Sequence, residues 1–387
     1  MQAVLVNGRI LTEAGILADH CVVIENGAVV AITPSAQAPA QAARYDLNGG
    51  LLVPGFIDTQ VNGGGGVLFN DAPTLETIAA IGAAHRPFGT TGFLPTLISD
   101  DLAVVDQAMR ATEAAIEAGV PGVLGVHIEG PFLNVQRKGI HNADKFRVID
   151  EAAFTLLTSL KVGCTLVTLA PETTTPEMIR RLVEAGVVVA AGHTNATYAA
   201  TRAALAAGLS GFTHLFNAMS PLTSREPGVV GAALESQSAW CGLIVDGRHV
   251  DPAVLRIALR TRPLDRFMLV TDAMPTVGMS DKRFDLQGSQ IQVIDGVCVD
   301  GNGTLAGSDL DMIGAVRNAM MMLELSVEQA VAMASASPAA FLGLAAQRGR
   351  IAVGQSADLV LLDDTLAVRQ TWIDGAPVGL QSIFRQV

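Results

Sequence analysis

The 387-residue sequence contains little cysteine and no long apolar run. Its four cysteines, at positions 21, 164, 241 and 298, form no Cys-x-x-Cys pair, so we expect buried free thiols in a reducing compartment. No apolar segment reaches the roughly 18 residues that a membrane span requires. The opening MQAVLVNGRI lacks the basic stretch and apolar core of a secretory signal peptide. These absences predict a cytoplasmic protein without a membrane partner.

Positive charge is scarce as well. The chain carries 25 Lys and Arg against 37 Asp and Glu, for a formal net charge of −12, and no run of basic residues occurs. This balance argues against nucleic acid as a partner. A small anionic substrate remains compatible with it, provided that a local group of cations binds that substrate.

Both ends of the chain read as short strands separated by turns. Residues 2–53 contain AVLVNG, CVVIENGAVVAI and YDLNGGLLVP, in which Asn-Gly and Gly-Gly predict tight hairpins. RGRIAVGQSADLVLLD and VRQTWIDGAPVG repeat this style near the other end. We therefore predict a small β-sandwich domain from residues 1–54 together with 347–387, and a second domain from residues 55–346.

The middle of the chain alternates between apolar runs and amphipathic helical patterns. Half of all residues are apolar, which is enough for a large core. Eight runs are typical of buried parallel strands: LLVPGFID, then residues 93–98, 123–128, 164–169, 187–191, 212–216, 240–245 and 267–271. Eight strands with intervening helices predict a (β/α)8 barrel. Residues 281–307 interrupt the alternation, and we expect a β-hairpin insertion there, before the final helix.

Polar side chains cluster at the carboxyl ends of the predicted strands, where barrels of this kind carry their chemistry. They are Asp58, Gln60, Asn62, His127, Glu129, His193, His214, Asn217, His249 and Asp272. Several imidazoles and carboxylates that converge on one mouth need an ion or a ligand to satisfy them. Glu129, His193 and His214 form a set that suits one zinc ion with a fourth position for water. Iron, cobalt or manganese would accept the same donors.

Asp272 is the candidate general base. A carboxylate at the end of the eighth strand can take a proton from the attacking water and pass it to the leaving group. A fourth metal ligand and a helix N-cap are the alternative roles for it. His127 faces the same side of its strand as Glu129, so it either orients that carboxylate or fills a structural position.

Eight motifs in order resemble the N-acetylglucosamine-6-phosphate deacetylases of the amidohydrolase superfamily. They are GFIDTQVNG, HIEGPFLN, KGIHNAD, GHTNATY, THLFNAMSPLTSREPG, DGRHV, LVTDAM and GTLAGSDL. The resemblance implies hydrolysis of the acetamide of N-acetyl-D-glucosamine 6-phosphate to D-glucosamine 6-phosphate and acetate. It also implies that Glu129, His193 and His214 hold the metal, that Asp272 acts as base and then acid, and that His141 polarises the acetyl carbonyl.

The resemblance further implies a phosphate site. His249 and Arg225 match the phosphate-binding positions, and Asn217 and Ala218 match positions whose backbone contacts the substrate. Arg225 is expected to reach the active site of the neighbouring subunit in a homodimer. Its guanidinium lies in a Ser/Pro/Gly loop, where it can grip phosphate oxygens.

Gln60 and Asn62 stand where many metal hydrolases carry a His-x-His pair. Neutral amides bind first-row cations poorly beside imidazole. We therefore predict a vacant second-metal position and one divalent metal ion per subunit, with the two amides bonded to neighbouring groups. Two other interpretations remain open: a deacetylase of another substrate, such as the galactosamine isomer or a cyclic amide, and a metal-free scaffold protein of the same superfamily.

Overall fold

The computed structural model describes residues 2–378. The predicted carboxyl-terminal segment 347–387 therefore lies partly outside the described residues. No helix among those described is long and apolar enough to span a membrane.

Seven short strands open the chain, and turns with left-handed backbone separate several of them. They are β1 Gln2–Val6, β2 Arg9–Thr12, β3 Gly15–Leu17, β4 His20–Glu25, β5 Ala28–Pro34, β6 Ala43–Asp46 and β7 Leu51–Pro54. Asn26 and Gly27, with φ of 50° and 82°, join β4 to β5, as the predicted Asn-Gly hairpin requires.

The barrel strands follow, each parallel to its neighbours. They are β8 Phe56–Val61, β11 Thr90–Ile98, β12 Gly125–Glu129, β13 Cys164–Leu169, β14 Val188–Ala191, β15 Gly211–Phe212, β16 Trp240–Leu243 and β17 Phe267–Leu269, with a hairpin of β9 Gly63–Gly64 and β10 Val67–Leu68 after the first. Their order in the sheet is the order in the chain. A parallel bridge between Val61 and Ala273 brings the first and last strands together. The predicted (β/α)8 fold is confirmed.

Ten α-helices accompany these strands in the described residues. They are α1 Leu75–His85, α2 Leu102–Glu117, α3 Glu151–Leu157, α4 Pro176–Glu184, α5 Tyr198–Ala206, α6 Gly228–Glu235, α7 Pro252–Leu259, α8 Met312–Leu323, α9 Val327–Ala334 and α10 Ala336–Phe341. The α4 helix shows why the sequence forms them: Thr175 caps it by accepting from Met178 N–H, and Pro176 occupies the first helical position. Its buried residues Ile179 and Leu182 then face the core.

The insertion before α8 is larger than predicted. Instead of one hairpin it forms a four-stranded antiparallel sheet of β18 Arg283–Leu286, β19 Ser289–Ile294, β20 Val297–Val299 and β21 Leu305–Ser308. Three helices follow it, not one. The last two strands are short, so no long apolar run in the sequence predicts them.

Three strands end the described chain: β22 Leu359–Leu362, β23 Val368–Ile373 and β24 Ala376–Val378. They join the amino-terminal strands in a six-stranded sheet, β24-β23-β22-β7-β2-β3, beside a four-stranded sheet, β5-β4-β1-β6. Leu5 and Val22 of the smaller sheet share one buried cluster with Leu52, Leu359 and Trp372 of the larger. The two ends of the chain thus form one layered β structure outside the barrel.

Candidate active site

Three donor atoms meet at the carboxyl end of the barrel. Glu129 ends β12, His193 follows β14, and His214 follows β15. Glu129 Oε1 lies 3.1 Å from His193 Nε2 and 3.0 Å from His214 Nε2, and the two Nε2 atoms are 3.1 Å apart. All three side chains are buried. The sequence placed these residues at strand ends, and the fold brings them together.

Both histidines sit on strained backbone. His193 has a φ of 47° and His214 a φ of 34°, in the left-handed region that residues with a Cβ rarely adopt. Such a conformation costs about 1–3 kcal/mol per residue and persists only where the surroundings enforce it. It also ends β15 at Phe212, so the predicted strand over 212–216 is wrong beyond its first residue. This change of backbone direction after Phe212 points the His214 side chain towards Glu129 and His193.

Hydrogen bonds and charge fix the state of the three side chains. His193 Nδ1–H donates to the Arg137 carbonyl at 2.9 Å, which holds the ring with Nε2 towards Glu129 and His214. Burial opposes ionisation of Glu129, but the hydrogen bonds from His193 and His214 outweigh it and hold the pKa of the carboxyl well below its usual range. Burial likewise opposes the charge on His214, yet Glu129 raises the pKa of that imidazole.

The donor set fits a divalent cation. Tetrahedral donors about 2.0–2.1 Å from a zinc ion lie about 3.3 Å from one another, close to the observed separations. Within residues 2–378 this is the one group of at least three His, Cys, Asp or Glu residues whose donor atoms all lie within 4.8 Å of one another. Buried imidazole nitrogens and a carboxylate oxygen this close together need a cation or shared protons to offset their repulsion.

Asp272 lies beside the cluster, held by two amides from the first strand. Gln60 Nε2 donates to Asp272 Oδ1 at 3.1 Å and to Glu129 Oε2 at 3.0 Å, and Asn62 Nδ2 donates to the same Asp272 oxygen at 2.7 Å. Burial and repulsion from Glu129 raise the pKa of Asp272 to about 6. No helix begins at Asp272, so the N-cap alternative is wrong. Such a pKa makes both the ionised and the protonated carboxyl accessible near neutral pH.

His141 packs against the cluster from the loop after β12. Its ring centroid is 4.3 Å from that of His193. Its Nδ1 lies 2.8 Å from Ser99 Oγ and 3.3 Å from Ser99 N. Burial, with repulsion from His193, holds the pKa of His141 well below its usual range. The side chain is therefore a neutral imidazole.

A cavity of about 340 Å³ opens above these groups. His249 lines it, and its Nδ1–H donates to Asp246 Oδ2 at 2.6 Å, which fixes the ring. Asn217 and Ala218 line the same cavity. Arg225 is exposed and is not among the residues that line this cavity. The single chain thus brings together all the predicted site residues except Arg225.

Several cavity residues were not predicted. Thr304, Leu305 and Gly307 enter from the four-stranded insertion, and Arg137 enters from the loop that leads to His141. These residues do not lie at strand ends, so the sequence does not mark them, although Arg137 in VQRKGIHN is a cation in a chain that has few.

His127 does not bond Glu129; its ring nitrogens pair with hydroxyls, Nδ1 with Thr96 and Nε2 with Thr168.

A second cavity, about 430 Å³, lies near the amino-terminal ends of the barrel strands, where Pro54 and Arg266 line it. It is larger than the first. Its wall includes the exposed Glu13 and the half-buried Arg350, which pair with each other at 2.8 Å. It contains no converging donor set, so the chemistry belongs to the smaller cavity.

Comparison with known proteins shows that two family models match this chain. The amidohydrolase family matches residues 51–378, and the NagA composite domain matches residues 3–52. An N-acetylgalactosamine-6-phosphate deacetylase of Shewanella sp. (strain ANA-3) is 46% identical over 95% of this chain and 93% of its own. The N-acetylglucosamine-6-phosphate deacetylase of Haemophilus influenzae is 34% identical over 97% and 99%.

Solved structures agree with these relatives. N-acetylglucosamine-6-phosphate deacetylase from Pasteurella multocida superposes with a TM-score of 0.95 at 34% identity, over 98% of this chain and 100% of that one. A mutant of the Mycobacterium smegmatis enzyme in complex with N-acetyl-D-glucosamine-6-phosphate gives 0.89 at 36% identity, over 98% and 99%. The resemblance seen in the sequence motifs is confirmed.

Proposed function

Because the chain belongs to the amidohydrolase family, we propose that it is a metal-dependent deacetylase of N-acetylhexosamine 6-phosphates. N-acetyl-D-glucosamine 6-phosphate is the first candidate substrate, and its products would be D-glucosamine 6-phosphate and acetate. The observation that carries the proposal is the buried cluster of Glu129, His193 and His214 beside Asp272, under a cavity lined by His249. The prediction of an amidohydrolase enzyme is confirmed, so the scaffold alternative is set aside.

Glu129, His193 and His214 would hold one divalent cation, with zinc the first choice and iron, cobalt or manganese the alternatives. When bound, such a cation lowers the pKa of water and polarises the acetamide carbonyl. Gln60 and Asn62 support a single ion because their N–H groups already bond the Asp272 and Glu129 carboxylates. A second cation between those carboxylates would have to displace these donors.

Asp272 would carry the proton in both directions. As base it takes a proton from the water that attacks the acetamide carbon, and as acid it gives that proton to the nitrogen when the C–N bond breaks. A pKa of about 6 suits both roles at neutral pH. The N–H groups of Gln60 and Asn62 aim the carboxylate and stabilise its ionised form.

His141 would stabilise the acetyl oxygen. As a neutral imidazole it can donate one hydrogen bond to that oxygen as negative charge develops there. Its place beside His193 keeps it next to the donor cluster. The products are then acetate and the free amine.

The sugar phosphate would bind at the wall formed by His249, Asn217 and Ala218. Asp246 orients His249, and in the imidazolium form its second N–H would donate to a phosphate oxygen. We assign Arg225 to the active site of the partner in a homodimer, because it is exposed on its own chain and outside its own cavity. Four unpaired cysteines support a reducing, cytoplasmic location.

The galactosamine isomer is the second candidate substrate. The observation that favours it is the 46% identity to the Shewanella enzyme that bears that name, compared with 34% to the Haemophilus enzyme. The two sugars differ only at C4. Product analysis should therefore use both N-acetylhexosamine 6-phosphates, with and without the phosphate, while bound metal is quantified in parallel. Failure to release acetate from either phosphorylated sugar in the metal-loaded enzyme would refute the proposal.

A further inference from the structure

Ser99 is a buried residue directly after β11 that neither the motifs nor the family resemblance single out. It has no exposed surface, and both its backbone N–H and its hydroxyl face Nδ1 of His141, at 3.3 and 2.8 Å. We propose that Ser99 is a positioning residue that fixes the tautomer of His141, with the proton on Nε2 and the lone pair on Nδ1. This inference rests on the proposed function for its catalytic consequence.

The backbone N–H decides the tautomer. A peptide N–H can only donate, so the nitrogen that it approaches must accept. His141 Nδ1 therefore carries the lone pair, and the single proton of the neutral ring lies on Nε2. The opposite tautomer would direct two N–H groups at each other in a buried site, which leaves both unsatisfied.

The hydroxyl strengthens this preference. Its oxygen lies closer to Nδ1 than the backbone nitrogen does, and its O–H can donate to the same lone pair, which the two donors then share in a three-centre hydrogen bond. Gly130 makes room for it: a Cβ at that position would lie 2.2 Å from Ser99 Oγ. Gly130 follows the metal-cluster residue Glu129, so the glycine of the HIEGPF motif and Ser99 together set the edge of His141 that faces away from the cavity.

The opposite nitrogen of the ring, Nε2, is the one that would act on the substrate. His141 lines the cavity, and its Nε2 forms no hydrogen bond with any described residue, nor is it sealed from solvent. With the proton fixed there, it can donate to an acetyl oxygen from the start. With the lone pair there instead, it would repel that oxygen as charge develops.

The first test reads the tautomer without any turnover. The zinc-loaded full chain is labelled with ¹⁵N-histidine, and the spectrum of His141→Gln identifies the His141 signals by their loss. We expect an unprotonated Nδ1 and a protonated Nε2. A protonated Nδ1 on a neutral ring would overturn the proposal, whether or not the protein hydrolyses an acetamide. The proposed function would fail separately, through absence of acetate release by the wild type.

The second test reads the consequence. Ser99→Ala keeps the backbone donor and loses the hydroxyl, so we expect kcat to fall about fivefold to tenfold while KM stays within about twofold. Ser99→Thr keeps a hydroxyl and should recover most of kcat. In a His141→Gln background, Ser99→Ala should cost nothing further, because no imidazole remains to be fixed.

A matched control separates positioning from stability. Ser335 is also buried and donates its hydroxyl to the Val331 carbonyl at 2.7 Å, near the end of α9 and away from the candidate site. Ser335→Ala should lower the melting temperature without the loss of kcat. An unchanged kcat in Ser99→Ala, or an equal loss in the His141→Gln background, would refute the role of the hydroxyl.

Discussion

Asn62 provides a direct test of how the first strand controls Asp272. Its Nδ2 donates to Asp272 Oδ1 at 2.7 Å, the shortest hydrogen bond to that carboxylate, and this bond lowers the pKa that burial raises to about 6. Asn62→Ala removes the donor and leaves the charges around Asp272 unchanged. The ionised carboxylate loses stabilisation while the protonated acid loses little, so the pKa must rise.

The size of the effect follows from the bond. A hydrogen bond to a charged group contributes about 1.5–3 kcal/mol, which corresponds to roughly one to two pH units. The acid limb of kcat/KM should therefore move up by about that amount, and activity at pH 7 should fall about twofold to tenfold. Because the base remains present, activity should recover towards the wild-type value as the pH is raised to about 9.

The assay is acetate release against pH for the metal-loaded wild type and two variants. Asn70→Ala is the matched control, because Asn70 forms two amide hydrogen bonds with the backbone of Ile98 and none with Asp272. Its acid limb should keep the wild-type midpoint. An unmoved limb in Asn62→Ala, or a loss of activity that is equal at every pH, would refute the reasoning that Asn62 acts through the charge of Asp272.

Three further predictions follow from the same geometry. Elemental analysis should find one metal ion per wild-type chain and a strongly reduced metal content in Glu129→Gln. Chelation should abolish activity, and added zinc should restore it. Two ions per chain would contradict the single site. Arg225→Ala should lower kcat/KM for the phosphorylated sugar about 10- to 100-fold and leave the unphosphorylated sugar unaffected, whereas Arg248→Ala, whose guanidinium pairs with Asp295 3.3 Å away, should do little. Burial raises the pKa of Asp58 to about 7, above its unfolded value near 3.8, so between these pH values the folded state binds more protons and its stability falls as the pH rises. The urea resistance of Asp58→Asn should therefore increase relative to that of the wild type from pH 5 to pH 8. A difference that stays constant over this range would contradict the prediction.

The barrel could be predicted because each strand is buried on both faces and so appears as an apolar run. Even β15, which keeps only Gly211 and Phe212 as strand, was found from the run around it. The site could be predicted for a related reason. Parallel strands carry their carboxyl ends to one mouth, so residues that follow different strands, such as Glu129 and His193, must lie near one another once the barrel is assumed.

The features of the site that could not be predicted from the sequence are its backbone conformation and its contacts between residues far apart in the chain. Nothing in the identity of His193 or His214 signals a positive φ, because the strain is imposed by the surroundings. Ser99 contacts His141 across 42 residues of chain, and Gln60 contacts Asp272 across 212, which no local pattern encodes. The four-stranded insertion was underestimated because strands such as Val297–Val299 are too short to show a period.

The amides at positions 60 and 62 complement carboxylates rather than a cation. Gln60 offers two N–H groups, and the two acceptors within reach are Glu129 Oε2 and Asp272 Oδ1; a flipped amide would place its oxygen about 3 Å from both carboxylates and repel them. Imidazoles in the same places could offer lone pairs to a metal ion, but a primary amide nitrogen cannot. Hydrogen bonds from the two amides therefore stabilise the Glu129 and Asp272 carboxylates, as a second cation otherwise would, and Asp272 would stay free for its proposed role in proton transfer. Under the proposed function, the Gln-x-Asn pair would limit the site to one metal ion and leave Asp272 as its base.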